Sequence, residues 1–322
     1  MSSRKPWLNL LRIALSLVAV ALLIREVGGA DLLAVLRTAQ WPLLVLAWLL
    51  FLAGIVVRAF RWKALLDGLG LHPGFWRLLK LYFVGGFFNT FLPSGFGGDV
   101  VRVIELAQGQ ATSAAIGTVL VDRLTGILSL LALGLMVLPF AGELPVWLAL
   151  GMAAVSLLGL DGGALLLEGR LLRRLTNRLP GALRLSGEGK LSQLYAAITG
   201  VGSGALWRAL ALSTLFNVLN IAVYWLCGLA VGIRLGLGFY FVVVPLLSLA
   251  LLVPISVGGL GARDWVAQPM FRAVHVAESL TAGMTLSVWL VTAAAGLIGG
   301  ILYLAEVLTG LGAFKGFSGG RT

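Results

Sequence analysis

Charged residues are scarce in this chain. Only 11% of the 322 residues are Asp, Glu, Lys or Arg, whereas soluble domains carry about 25%. The hydrophobic fraction is 59% and the mean hydropathy is +1.00. Several apolar runs approach the length of about 20 residues that a transmembrane helix needs. The composition therefore predicts an all-α polytopic membrane protein, with residues 1–322 forming a single transmembrane domain.

Cysteine and histidine are almost absent as well. The single cysteine, Cys227, cannot form an internal disulfide, and the two histidines, His72 and His275, belong to no Cys/His cluster. This excludes the usual structural zinc and haem sites. No Walker sequence is present, so we expect no ATP use by the chain itself. We predict no cofactor and no metal.

Enzyme signatures are missing too. Asp99 with Asp122 suggests an aspartyl protease, Ser256 with His275 a serine hydrolase, and Asp31 a glycosyltransferase. None of these residues stands in an accompanying motif such as H-E-x-x-H or G-x-S-x-G. The prediction is that the protein is not an enzyme.

The surplus of basic residues is explained by membrane topology. The net charge is +11, which in a soluble protein would suggest nucleic-acid binding. Six apolar segments are predicted to span the bilayer: 8–27, 41–60, 112–138, 146–167, 204–232 and 279–308. With six spans, both termini and the basic regions 58–80 and 168–208 lie on the same face of the membrane. That face holds 17 of the 24 basic residues, and the loops on the opposite face hold 3. The positive-inside rule then places both termini in the cytoplasm, with the protein in the inner membrane.

Two apolar segments are interrupted by proline, glycine and charge. The first segment, at about 80–110, contains Pro93-Ser94-Gly95-Phe96-Gly97-Gly98 followed by Asp99 and Arg102. The second segment, at 239–275, contains Pro254-Ile255-Ser256-Val257-Gly258-Gly259 followed by Arg263 and Asp264. Proline and glycine both disfavour a helix interior. Broken backbone at membrane depth is tolerated only where protein or a water-filled cavity surrounds it. We therefore predict a broken, re-entrant hairpin at each place.

The two hairpins indicate a duplication. Both follow the pattern P-x-x-x-G-G-x-x-x-R, and Pro93 and Pro254 are 161 residues apart, half of the chain. Pseudo-repeats of about 1–140 and 141–322 would each hold three spans and one hairpin. Because three is odd, the halves would be inverted relative to each other, as in many transporters. Eight full spans are the alternative.

These motifs resemble the lysylphosphatidylglycerol synthase transmembrane-region family of flippase-like proteins, also described as UPF0104-type. The matching pieces are RAFRWKALL (58–66), NTFLPSGFGGDVVR (89–102), the pair Asp122-Arg123 and PISVGGLGARD (254–264). The resemblance implies movement of a lipid across the bilayer, since larger members carry the aminoacyl transfer on a separate soluble domain, which we expect to be absent here. Asp264 departs from the family, which often has Glu at this position.

Sixteen residues are candidates for contact with a lipid headgroup. Arg102 and Arg263 are the foremost, because an arginine at membrane depth is costly and its planar fork suits a phosphate. The competing interpretation is a structural ion pair of Arg102 with Asp99 and of Arg263 with Asp264. The other candidates are Asp122, Arg123, Asn89, Ser94, Ser256, Gly97, Gly98, Gly258, Gly259, Gly261, Arg58 and Arg61.

Several of these candidates have a purely structural alternative. Asp122 and Arg123 point about 100° apart on a helix, so we expect them to bind different partners. Asn89 and Ser94 either bind a headgroup or cap a half-helix. The glycines either expose backbone N–H groups to an anion or form a tight turn or helix contact. Arg58 and Arg61 either collect headgroups at the cytoplasmic face or only set the topology.

The sequence predicts a lipid flippase of the inner membrane. An anionic lipid, such as a phospholipid or a polyprenyl-phosphate-linked lipid, would enter a polar cavity between the two hairpins. The alternative is a membrane scaffold or partner subunit of a lipid- or glycan-synthesis system. The oligomeric state is left open.

Overall fold

The computed structural model describes residues 37–91, 97–107, 112–142, 144–168, 195, 199–250 and 262–309. Within these ranges the chain is helical and contains no strand, which confirms the all-α prediction for this part of the protein. The helices are α1 (Trp41–Gly68), α2 (Phe75–Phe91), α3 (Gly97–Ala107), α4 (Thr112–Val137), α5 (Val146–Glu168), α6 (Ser203–Ala230), α7 (Leu237–Ala250), α8 (Ala262–Arg272) and α9 (Glu278–Thr309), with a short 3₁₀ turn at Leu138–Phe140.

Five of the described helices are long and apolar enough to cross a membrane. These are α1, α4, α5, α6 and α9, and they coincide with five of the six predicted spans. The remaining predicted span, 8–27, lies outside the described residues. So do most of the basic region 168–208 and the breaks of both hairpins, at 92–96 and 251–261.

Helix α1 is longer than the sequence predicted. We expected a span that ends at residue 60 and a basic loop over 58–80, but the helix continues to Gly68 and only 69–74 connect it to α2. The end is formed by Gly70, whose φ of 74° is readily adopted only by glycine. The prediction was wrong because the apolar run ends at Arg58, whereas the structure accommodates both arginines inside the protein: Arg61 binds Asp122 and Ser213, and the Arg58 guanidinium lies over two aromatic rings.

Helices α1 and α6 lie antiparallel along their full lengths. At one end the Gln40 amide donates a hydrogen bond to the Ala230 carbonyl (2.9 Å). In the middle a Cβ atom on Gly54 would lie 3.3 Å from the Phe216 ring. At the other end Gly68 lies against Val201 and Ala205. This pair runs through the whole described bundle, and the remaining helices pack around it.

The shorter helices pack closely on the long ones. Helix α2 meets α9 where Gly299 touches the backbone of Phe83, and α7 meets α4 where Gly134 touches Phe241 and Pro245. A Cβ atom at Gly299 would overlap the Phe83 carbonyl. Small residues at such contacts let two helix backbones approach, which is how helices associate in a lipid environment.

Within each hairpin the two helices are short. Helix α2 has 17 residues and α3 has 11, which corresponds to roughly 25 and 16 Å. Helix α7 has 14 residues and α8 has 11. The backbones of α2 and α3 approach each other at Gly85 and Gly98, where a Cβ atom on Gly98 would overlap the Gly85 carbonyl. This approach holds the charged start of α3 inside the helix bundle.

Candidate functional site

A network of charged side chains is buried among α1, α2, α3 and α4. We call it the charged network, and its members are Arg61, Tyr82, Asp99, Arg102, Asp122 and Arg123. All of its members except Tyr82 are among the sixteen candidates. The three-dimensional structure thus brings together side chains that are up to 62 positions apart in the sequence.

Asp122 of α4 is the centre of the charged network. Its Oδ1 accepts a hydrogen bond from Arg61 Nε at 2.6 Å. Its Oδ2 accepts from Tyr82 Oη at 2.7 Å and from Arg102 Nη2 at 3.1 Å. The Asp122 side chain is only 1% exposed. Burying a carboxylate is costly unless it is paired and hydrogen-bonded, and here both oxygens are satisfied.

Asp99 extends the network along α3. It accepts a hydrogen bond from Arg102 Nη1 at 3.2 Å and forms an ion pair with Arg123 of α4. The expected pair of Arg102 with Asp99 is therefore present. Asp122 and Arg123 do bind different partners, as their positions on a helix predicted. Arg102 bridges the two aspartates and so links α3 to α4.

Aromatic rings enclose the Arg102 guanidinium. Its central carbon lies 4.1 Å from the ring centroids of both Trp62 and Tyr82. Cation–π contact of this kind is worth about 2 kcal/mol or more where water is excluded. Arg102 is 2% exposed, so the rings and the two carboxylates replace water around its charge.

Arg58 and Arg61 are not surface cations. Both lie within α1, and Arg61 is buried in the network, where it also donates to Ser213 of α6 (3.0 Å). Arg58 is half-buried, and its guanidinium lies over the Tyr82 ring (4.9 Å) and the Phe216 ring (5.2 Å). Within the described ranges it forms no ion pair, and its buried Nε donates to nothing. Arg58 thus adds a positive charge beside a network whose central carboxylate is already satisfied.

The second hairpin is arranged differently. Arg263 is 8% exposed and forms no ion pair with Asp264 or any other described residue. Asp264 instead accepts hydrogen bonds from Gln268 and from Thr285 of α9, both at 3.2 Å. The expected pair of Arg263 with Asp264 is therefore not formed. The two side chains are adjacent in the sequence but point to different neighbours.

The aspartates of the two hairpins occupy matching places. Asp99 is bound by Arg123 of the following long helix α4, and Asp264 is bound by Thr285 of the following long helix α9. Arg102 comes three residues after Asp99, whereas Arg263 comes one residue before Asp264. The sequence pattern aligned the two arginines, but the contacts align the two aspartates.

Asn89, Gly97 and Gly98 form the junction of α2 with α3. The Asn89 Oδ1 accepts a hydrogen bond from the Gly98 amide at 2.8 Å, which satisfies one of the free N–H groups at the start of α3. Asn89 therefore has the capping contact that was one of its two expected roles. Gly97 and Gly98 lie in the first turn of α3, as predicted for a half-helix start. Ser94, Ser256, Gly258, Gly259 and Gly261 lie outside the described residues.

Three contact residues carry no signal in the sequence. Tyr82, Ser213 and Tyr224 lie in apolar helices and look like ordinary packing residues there. Only the long-range partners reveal them, since Tyr82 binds Asp122, Ser213 binds Arg61, and the Tyr224 ring faces Arg263. Among the residues that the structure describes, no group of three His, Cys, Asp or Glu side chains is arranged for a metal ion.

Comparison with known proteins identifies the family. The family model described as "Lysylphosphatidylglycerol synthase TM region" matches residues 9–300, so the chain belongs to this family. It is 23% identical to a UPF0104 membrane protein of Pyrococcus horikoshii, over 91% of this chain and 96% of that protein. It is 25% identical to a UPF0104 membrane protein of Methanothermobacter thermautotrophicus, over 52% of this chain and 50% of that protein. No solved structure matches the chain.

Proposed function

We propose that this protein moves a lipid with an anionic headgroup across the inner membrane. The lipid is a phospholipid or a polyprenyl-phosphate-linked lipid, and its headgroup crosses through a polar cavity between the two hairpins while its tails stay in the bilayer. The observation that carries the proposal is Arg58, a guanidinium that pairs with no carboxylate among the described residues and lies in a helix long and apolar enough to span the membrane. An arginine at this depth is costly and is by default functional.

The charged network supports this assignment by the way its charges are distributed. Asp122 and Asp99 are bound by Arg61, Arg102 and Arg123. Among the described residues, the Arg58 guanidinium instead lies over the rings of Tyr82 and Phe216 and pairs with no carboxylate. A lipid phosphate that reached Arg58 would gain a bidentate, charge-assisted pair. The paired arginines would then shape the site and repel stray cations rather than hold the phosphate directly. In this scheme Asp99, Arg102, Asp122 and Arg123 position Arg58.

The helix contacts favour an inverted repeat. Phe216, which lies against Gly54, comes 162 residues after it, and each residue stands in the middle of a 28-residue helix. A second pair of contacts matches in the same way: Gly134 meets Pro245, and Gly299 meets Phe83. The two glycines are 165 residues apart, and their two partners are 162 residues apart. Each half thus offers the same type of contact to the other half. Such repeats, related by an axis in the membrane plane, support alternating access in transporters.

The short hairpin helices are proposed to be re-entrant. The eleven residues of α3 and of α8 fall well short of the about 20 residues that cross a bilayer. In the proposed scheme each hairpin enters and leaves on one side, so that the two breaks meet near the midplane. The face with Gly68 is proposed to be cytoplasmic, following the distribution of basic residues.

The test is a lipid-flipping assay in reconstituted vesicles. Fluorescent phosphatidylglycerol in the inner leaflet becomes accessible to an impermeant quencher only after it has flipped. We expect vesicles that contain the protein to expose the lipid faster than protein-free vesicles. Arg58→Gln should slow flipping at least tenfold, about 1.4 kcal/mol. The matched control is Lys63→Gln on the same helix, where Lys63 is a third exposed and pairs with Asp67, and this variant should flip at the normal rate.

Two outcomes would contradict the proposal. One is a wild-type rate equal to that of protein-free vesicles. The other is an equal loss of rate in the Arg58 and Lys63 variants, because this would point to a general effect of removing basic charge rather than to a site at Arg58.

A further inference from the structure

Arg263 is a second guanidinium without an ion-pair partner among the described residues. It is more than nine-tenths buried, and both Nε and Nη1 donate to nothing in the described part of the chain. Asp264, the next residue in the sequence, is bound by Gln268 and Thr285 instead. The group that faces Arg263 is the Tyr224 ring, 5.9 Å from the guanidinium carbon. Such a site has an excess of donors and of positive charge, which suits an anion.

This second guanidinium lies at a different level of the bundle from Arg58. Arg58 lies over Phe216 in the middle of α6, and Arg263 lies beside Tyr224, eight residues further along the same helix. Eight residues correspond to roughly 12 Å of helix, a large part of the bilayer core of about 30 Å. Phe216, Asn220 and Tyr224 are spaced at i, i+4 and i+8, so they follow one ridge of α6.

We propose that Arg263 and Tyr224 form a second binding site for the phosphate of a lipid headgroup, nearer to the Ala230 end of α6. The Arg263 fork would bind two phosphate oxygens, and the Tyr224 ring would hold the guanidinium from the side. The α6 ridge with Asn220 would join this site to Arg58. This proposal rests on the proposed flipping function and deepens it, since it names two binding sites that one headgroup would occupy in succession.

The physical character of Arg263 distinguishes this site from a structural ion pair. A buried charge without a partner destabilises the folded protein, and its removal therefore costs no pairing energy. A residue that lowers stability but remains at a buried position is expected where function requires it. Arg263→Gln should thus lose ligand binding without any loss of thermal stability, a combination that a structural arginine would not give.

The experiment measures binding to the purified full-length protein in detergent micelles. Dihexanoylphosphatidylglycerol, inorganic phosphate and dihexanoylglycerol are titrated by calorimetry. We expect the phosphatidylglycerol to bind, Arg263→Gln to weaken it at least tenfold, and Arg263→Lys to weaken it less, since a lysine keeps the charge but not the fork. The control is Arg272→Gln on the same helix, where Arg272 is exposed and paired with Glu278, and its affinity should be unchanged.

The outcomes separate a lipid site from a structural arginine and from a site for free phosphate. Unchanged affinity in Arg263→Gln overturns the site. A fall in its melting temperature together with its affinity makes Arg263 a structural residue and also overturns it. Binding of inorganic phosphate but not of the lipid overturns the headgroup assignment. If the protein binds the lipid through Arg263 but does not flip it, the binding site stands and the flipping function is rejected. The two proposals can therefore fail separately.

Discussion

At the scale of single residues, Asp122 is a carboxylate with three partners in the charged network. It is bound by Arg61, Tyr82 and Arg102 from three helices. Removing one partner of a buried ion pair leaves an uncompensated charge, which costs several kcal/mol. Its position on α4 was predicted from the sequence, but its partners were not, because Arg61 is 61 residues away and hydropathy contains no information on such distant pairs.

The first residue-scale prediction concerns Asp122→Asn. The amide keeps the shape of the side chain but leaves Arg61 and Arg102 without their shared carboxylate, so we expect the free energy of unfolding to fall by about 3–5 kcal/mol. Thermal unfolding in detergent measures the effect. Asp161→Asn is the control, since Asp161 is exposed on α5, and should unfold like the wild type. A loss below about 1 kcal/mol in Asp122→Asn would mean that the network adds little stability.

The second residue-scale prediction concerns paired replacement. If Arg102 and Asp99 served only each other, Asp99→Asn with Arg102→Gln would restore stability. In the structure Arg102 also binds Asp122, and Asp99 also binds Arg123. We therefore expect the double variant to remain less stable than the wild type, with non-additive single effects, since neighbouring sites couple. Full recovery of the melting temperature in the double variant would show that the pair is isolated.

At the scale of helices, the sequence predicted where the membrane-spanning helices lie better than it predicted where each helix ends. The spans at α4, α5, α6 and α9 were located to within a few residues from apolar runs alone. The end of α1 was missed, because a buried arginine looks like a loop residue to any hydropathy measure. The close approach of α2 to α9 was also missed, since a glycine pattern does not say which helix it contacts.

The helix-scale prediction concerns that approach. In Gly299→Ala the new methyl group would overlap the Phe83 backbone, which cannot yield as a flexible side chain would. We expect a loss of about 1–3 kcal/mol, the usual cost of overpacking. The melting temperature in detergent measures the change, with Gly151→Ala in α5 as the control because its Cβ meets nothing within 4 Å. Equal melting temperatures for both variants would contradict the tight contact.

At the scale of the whole molecule, the antiparallel α1 and α6 pair defines two ends of the bundle. One end carries Thr38 and Gly236, near the Gln40–Ala230 hydrogen bond, and the other end carries His72, near Gly68. The proposed inverted repeat, for which the two proline-glycine motifs were the first indication, requires these ends to face opposite sides of the membrane. Sequence alone could suggest the duplication, but the contact of Gly54 with Phe216 could come only from the structure.

The molecule-scale prediction tests these two faces by cysteine labelling. Single cysteines replace Thr38, Gly236 or His72, all exposed, in a Cys227→Ala background. An impermeant thiol reagent added to intact cells should label the first two positions together. The cysteine at 72 should react only after the cells are opened, because the positive-inside rule places it in the cytoplasm. Labelling of all three from outside would contradict the proposed arrangement.

The separation of Arg61 from Asp122 also bears on how the protein is made. A ribosome adds about 5–20 residues each second, so the 61 residues between them take roughly 3–12 s to synthesise. During that interval α1 is available for insertion while the carboxylate that Arg61 will bind does not yet exist. Its guanidinium must meanwhile reach toward the aqueous boundary on its long side chain. We therefore expect α1 to reach its final depth only after α4 arrives, and the charged network to form late in biogenesis rather than to guide the first insertion.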